Sequence, residues 1–126
     1  MNGIKCRVCA KKGDFDGLLF KCSECKAVHW DKMKVKKLFY KVKKGTEEFQ
    51  TIKKEILTAA KLPKPQGKYV YTLRLKSKPK YLYVGMTGLH PYERYLNHII
   101  GYKSSLYAKK YATAMMEFEG PMKNEI

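Results

Sequence analysis

The stretch Pro63-Lys64-Pro65-Gln66-Gly67 constrains this chain most, because two prolines and a glycine in five residues end any helix before them and delay any new element until after them. The period on the N-terminal side is helical. Thr46 offers an N-cap, Glu47 and Glu48 put acids in a first turn, and Phe49, Ile52, Ile56, Leu57 and Ala60 fall on one face, so the spacing predicts a helix over about 46–61. Beyond the break the period is that of strands. Residues 68–75, KYVYTLRL, are rich in aromatic and β-branched side chains; residues 76–80 read as a turn and residues 81–85 as a second strand, which together predict a hairpin. Residues 86–91 read as a loop, Pro91 suits the first turn of a helix, and Gly101 suits its end. On that helix Arg94 and His98 stand one turn apart on one face, beside the end of the second strand.

A chain of 126 residues holds one ordinary domain or two very small ones, and a small unit needs a staple, since about 60 residues bury only about 60% of their unfolded surface. Four cysteines suggest one. Cys6-x2-Cys9 and Cys22-x2-Cys25 stand 12 residues apart, and such paired spacing offers four thiolates to a tetrahedral structural Zn2+. The intervening residues 13–17 read as a turn and Leu18-Leu19-Phe20 as a short strand, as in a zinc hairpin. Two disulfides or four unrelated thiols are the plainer alternative. A reducing compartment favours the metal. The N-terminus lacks the apolar core of a signal peptide and no apolar run approaches the about 18 residues needed to span a bilayer, which predicts a cytoplasmic (nucleoid-associated) or nuclear protein rather than a secreted or membrane one. With a full set of cysteines present, His29 is expected to be a partly buried or nucleic-acid-facing imidazole, and Trp30 part of the small module's core.

Lys32, Lys34, Lys36, Lys37, Lys41, Lys43 and Lys44 interleave with apolar residues in a segment that reads equally as amphipathic helix or extended chain. The resulting organisation is a zinc-binding module over 1–35, a basic helical connector over 36–66 and a second domain over 67–126. A lysine run is most often a solvated face. Here 27 Lys+Arg against 11 Asp+Glu give a net charge of +16, an excess that points to a polyanion, with nucleic acid ahead of an anionic membrane surface.

Tyr69-Val70-Tyr71, Tyr83-Val84-Gly85-Met86-Thr87, Arg94-x3-His98 and Gly101-x-Lys103-Ser104-Ser105, in that order, resemble the motifs of the GIY-YIG nuclease family over residues 67 to about 120. The first motif is degenerate and the second has its common YVG form. The resemblance implies an α+β fold, with a small three-stranded antiparallel sheet flanked by helices, preceded here by the zinc module. It implies a metal-dependent DNA endonuclease acting on duplex or branched DNA. It also implies catalytic roles for Tyr71, Tyr83, Arg94 and His98, and substrate contacts from Gly85, Thr87, Lys103 and Ser104. The family's single Mg2+ or Mn2+ sits on a glutamate of a further helix. Residues 111–119 read as the third strand and Gly120-Pro121 as the opening of that helix, so Glu125 is the best-placed carboxylate of a domain cut off C-terminally; Glu117 and Glu119 read as ordinary strand carboxylates.

The chemistry makes sense independently of the resemblance. An arginine can give two parallel donors to a phosphate, and these strengthen as charge gathers on it in a water-poor site. A phenol with an ordinary pKa of about 10 is roughly 0.1% ionised at neutral pH, so a tyrosine base needs positive charge beside it, whereas an imidazole near about 6.5 can share the proton work. Whether Tyr71 or Tyr83 is the base stays open. The alternative expectation is a catalytically incomplete, nucleic-acid-binding zinc protein on the same scaffold. Taken singly, strand tyrosines are packing residues and a helix Arg and His a solvated face; the joint spacing carries the inference.

Overall fold

The computed structural model describes residues 13–24, 27–75, 82–103 and 112–122. The elements run β1 (Gly13–Asp16), β2 (Leu19–Cys22), β3 (Val28–Trp30), α1 (Lys32–Leu38), α2 (Glu47–Ala59), β4 (Lys68–Leu75), β5 (Leu82–Thr87), α3 (Pro91–Ile100) and β6 (Ala112–Met122). Each helix starts where a side chain can accept from an N–H that the helix leaves unpaired. Asp31 takes the Lys34 N–H at 3.2 Å, Thr46 the Phe49 N–H at 3.3 Å, and His90, through Nδ1, the Tyr92 N–H at 3.1 Å. Gly101 closes α3 in the left-handed conformation, φ 84°, which costs a residue without Cβ nothing. The ambiguous lysine segment is helical as far as Leu38. It buries Val35 alone and leaves Lys34, Lys36 and Lys37 exposed.

The expected small three-stranded sheet with a separate zinc module before it is corrected by the observed sheet. The described strands form one six-stranded sheet in the order β1-β2-β3-β6-β4-β5, every neighbouring pair antiparallel. The physical reason lies in β3. Val28, His29 and Trp30 are all buried, so this strand cannot sit at the surface of a small module; it pairs with β2 on one side and with β6, through Val28 and Met115, on the other. One core joins the halves: Leu19, Val28, Trp30 and Val35 from the N-terminal part share a cluster with Ile56, Tyr71, Leu73, Tyr95, Leu96, Ile99 and Met115. The Trp30 indole N–H donates to the Tyr92 carbonyl at 2.9 Å, tying β3 to the first turn of α3.

The C-terminal strand also departs from expectation. Gly120-Pro121 does not open a helix; β6 continues through a cis peptide bond there to Met122. Proline suits either a helix start or the end of a strand, where its missing N–H is tolerated, and pairing of β6 with Lys68 near the start of β4 decides for the strand.

Candidate phosphate-binding site

The face of the sheet that carries the site is fixed by the two-residue period of β4 and β5. Tyr69, Tyr71 and Leu73 point into the core from β4, and their partners across the ladder are Thr87, Gly85 and Tyr83. Helix α3 packs over β4 and β6 and brings its inner face to the same place. The result collects four residues singled out from the sequence. The Tyr71 hydroxyl is 2.8 Å from His98 Nε2 in a fully buried hydrogen bond, whose donor is set by the imidazole tautomer. Tyr83 lies with its ring 5.5 Å from His98, edge to face, and 6.3 Å from Tyr71. Arg94, partly exposed one turn before His98, lies close enough to both buried partners to act on their ionisation.

Gly85 explains how the Tyr71 ring fits. A Cβ at this position would lie 2.5 Å from both Cζ and Oη of Tyr71, so the ring occupies the space that any other residue would fill. The glycine is thereby a packing requirement of the site.

Burial sets the electrostatics. Desolvation pushes the Tyr71 phenol up to about 12, a rise that the adjacent Arg94 only partly offsets and the Tyr83 phenol adds to. Desolvation, helped by Arg94, pulls the His98 imidazole down to about 4. The two are therefore a neutral pair at physiological pH, with roughly one Tyr71 phenol in 10^5 ionised at pH 7. Arg94 brings the charge. Among the described residues no carboxylate pairs with it, and a guanidinium carries five donors. Such an arrangement can receive an anion at Arg94 against phenol and imidazole.

Thr87 is turned to another use: its hydroxyl accepts the Leu89 N–H at 3.0 Å and holds the turn leading to α3. Lys103 is exposed beyond the end of α3, with its ammonium 5.3 Å from the centre of the Tyr102 ring, apart from the buried cluster. Ser104 lies outside the described residues.

The metal assignments are corrected. No group of three or more His, Cys, Asp or Glu able to hold a metal ion forms among the described residues, so neither the structural Zn2+ nor the catalytic Mg2+ or Mn2+ is retained. Cys6, Cys9, Cys25 and Glu125 lie outside the described residues. Cys22 is described, and it is a buried residue of β2 packed with Phe20, Ala27 and Ala114, its sulfur accepting the Glu24 N–H at 3.4 Å. A zinc-containing, metal-dependent endonuclease and a zinc protein on a three-stranded scaffold are set aside with them, since both need the metal group and the smaller sheet.

Sequence reasoning missed one pair beside the site. Lys53 of α2 is buried and forms a 3.0 Å ion pair with Glu93, the residue before Arg94, and its ammonium also lies 5.6 Å from the Tyr102 ring. The signal was a lysine on the apolar face of α2, one turn after Phe49. No protein-family model, curated protein or solved structure matches this chain. No described helix is long and apolar enough to cross a membrane.

Proposed function

We propose that this protein binds nucleic acid, with DNA as its partner, and that Arg94 receives a backbone phosphate at the mouth of the Tyr71, Tyr83 and His98 cluster. The observation that carries the reading is the Arg94 guanidinium, unpaired with any described carboxylate and set beside a neutral tyrosine–histidine pair, in a chain of net charge +16. Phosphate contacts of this kind position a protein on a duplex and give affinity without reading sequence. The motif resemblance of Tyr71, Tyr83, Gly85, Arg94 and His98 to a family that handles phosphodiesters supports the same contact. The exposed lysines of α1 extend it, and a nucleoid-associated cytoplasmic or a nuclear location goes with such a role.

The neutral pair favours holding over cutting. A phenol pushed up to about 12 and an imidazole pulled down to about 4 neither take nor give a proton readily at neutral pH. Fluorescence anisotropy with a labelled duplex between 50 and 200 mM salt tests the binding. Affinity should fall by about 10^3 to 10^5 if roughly 6 to 10 phosphates are contacted, and Arg94→Ala should weaken binding on every duplex and reduce the salt slope by about one. A salt-insensitive affinity, or an Arg94→Ala curve that overlies the wild type, rejects the reading.

A further inference from the structure

Where α1, the loop after it, the start of α2 and the end of α3 meet, the surface opens into a pocket of about 290 Å³. Its walls are Val35, Phe39, Val42, Phe49, Ile99 and Ile100. Val35, Phe49 and Ile99 form a fully packed floor, each no more than 5% exposed, and Phe49 is braced by Phe39 at 5.1 Å and Tyr102 at 4.9 Å between ring centres. The remaining lining residues are Lys36 and Lys44, both exposed, and Lys44 is fixed at the C-terminus of α3 by donating to the Gly101 carbonyl at 3.2 Å. Between Asp31 and Glu47 the sequence carries no acid.

We infer that this pocket is a binding site for a small amphipathic anion, a single alkyl chain ending in a carboxylate, with the chain among the apolar walls and the carboxylate between Lys36 and Lys44. Size and charge both select it. A 150 Å³ apolar cavity takes benzene, so by proportion this one holds about twelve non-hydrogen atoms, the size of decanoate. A membrane phospholipid, with two longer chains, exceeds that space, and a cationic amphiphile would meet two ammonium groups with no acid between them. The site does not include Arg94, and its Lys36 is one of the exposed α1 lysines placed above along the proposed DNA contact.

Isothermal titration of the whole chain with decanoate, below its micelle concentration and at low salt, tests the inference. Saturable one-to-one binding is expected, with decyltrimethylammonium at least tenfold weaker. Val42→Phe, which puts a ring into the pocket from the loop, should reduce decanoate affinity by at least tenfold while a thermal melt shows the fold intact. Lys44→Gln should cost about fivefold, the scale of one exposed ion pair. The double reversal Lys36→Glu with Lys44→Glu, both at the surface, should invert the preference towards decyltrimethylammonium, and this holds even if Val42→Phe does not fold. Absence of saturable decanoate binding, equal binding of the cation, or an unchanged affinity in folded Val42→Phe overturns the site. Sedimentation with phosphatidylglycerol vesicles that Val42→Phe abolishes, without decanoate binding, overturns it in favour of a membrane.

Discussion

Replacing Gly85 by alanine places one methyl group where the Tyr71 ring now lies. The new Cβ would be 2.5 Å from Cζ and Oη and 2.9 Å from Cε1. Carbon atoms in contact prefer about 3.5 to 4.0 Å, so relief requires the ring to withdraw by about 1 Å. Withdrawal has its own cost, because the hydroxyl stands 2.8 Å from His98 Nε2 and a shift of that size takes the pair out of hydrogen-bond range. Overpacking contributes about 1 to 3 kcal/mol and an unsatisfied buried polar group about 1 to 3 more. The sum, about 2 to 6 kcal/mol, is a large part of an ordinary domain's stability and lowers Tm by about 8 to 24 °C. Urea unfolding followed by the fluorescence of Trp30, the single tryptophan and fully buried, measures it directly. The decisive comparison is Gly85→Ala made in a Tyr71→Phe background. There the hydroxyl and its bond are already gone, so the glycine substitution should cost about 1 to 3 kcal/mol less. A Gly85→Ala variant within about 0.5 kcal/mol of wild type, or an equal cost in both backgrounds, would refute the account of Gly85 as the space for the ring.

Stability should decline on acidification. The unfolded chain binds a proton at His98 near pH 6.5 but the folded one only near pH 4, so the stability present above pH 6.5 is lost as pH falls towards 4, by about 3 kcal/mol in full. His90, also depressed by burial, adds in the same direction, so His98→Gln should flatten the urea midpoint between pH 4 and 7 only in part; a profile identical to wild type counts against the assignment. Tyr71 gives the mirror effect, with stability falling between about pH 10 and 12, and Tyr71→Phe should diminish that fall. Lys53→Met, which leaves Glu93 without its ion pair, should destabilise by about 1 to 3 kcal/mol, with recovery in the Lys53→Met, Glu93→Leu double variant; equal losses in both would show that the pairing is immaterial. Asp31→Ala should cost about 1 kcal/mol through the cap of α1, read as a shift in Tm, and an unshifted Tm removes the cap from the account.

Local chemistry was legible in the sequence wherever a residue's neighbours along the chain decide its state. Thr46, Glu47 and the apolar face after them specify α2, Pro91 and Gly101 bracket α3, and the aromatic period of Lys68–Leu75 specifies β4. The convergence of Tyr71, Tyr83, Arg94 and His98 was legible for the same reason: a hairpin and the helix that follows it are near neighbours in space. Val28–Trp30 was not. Three residues beside a cysteine pair carry no period of their own, and their strand state comes from Leu19–Cys22 on one side and Met115 on the other. Gly120-Pro121 misled because the same dipeptide serves two structures, and the choice was made by the distant residue Lys68. The His90 cap escaped notice because imidazole is an uncommon acceptor at that position.

The place of β6 between β3 and β4 has a consequence for the order of events during synthesis. Both flanking strands leave the ribosome before it, and each has one side waiting for a partner that is translated later. Until β6 arrives, the nascent chain exposes two open strand edges with buried-type residues beside them, including Trp30 and Tyr71, the kind of template on which other chains pair. Sheet completion then joins segments far apart in sequence, which is slow compared with hairpin closure. Expression yield should thus depend on how long that vacant slot persists, and a chaperone that shields strand edges would act on this protein before β6 is made.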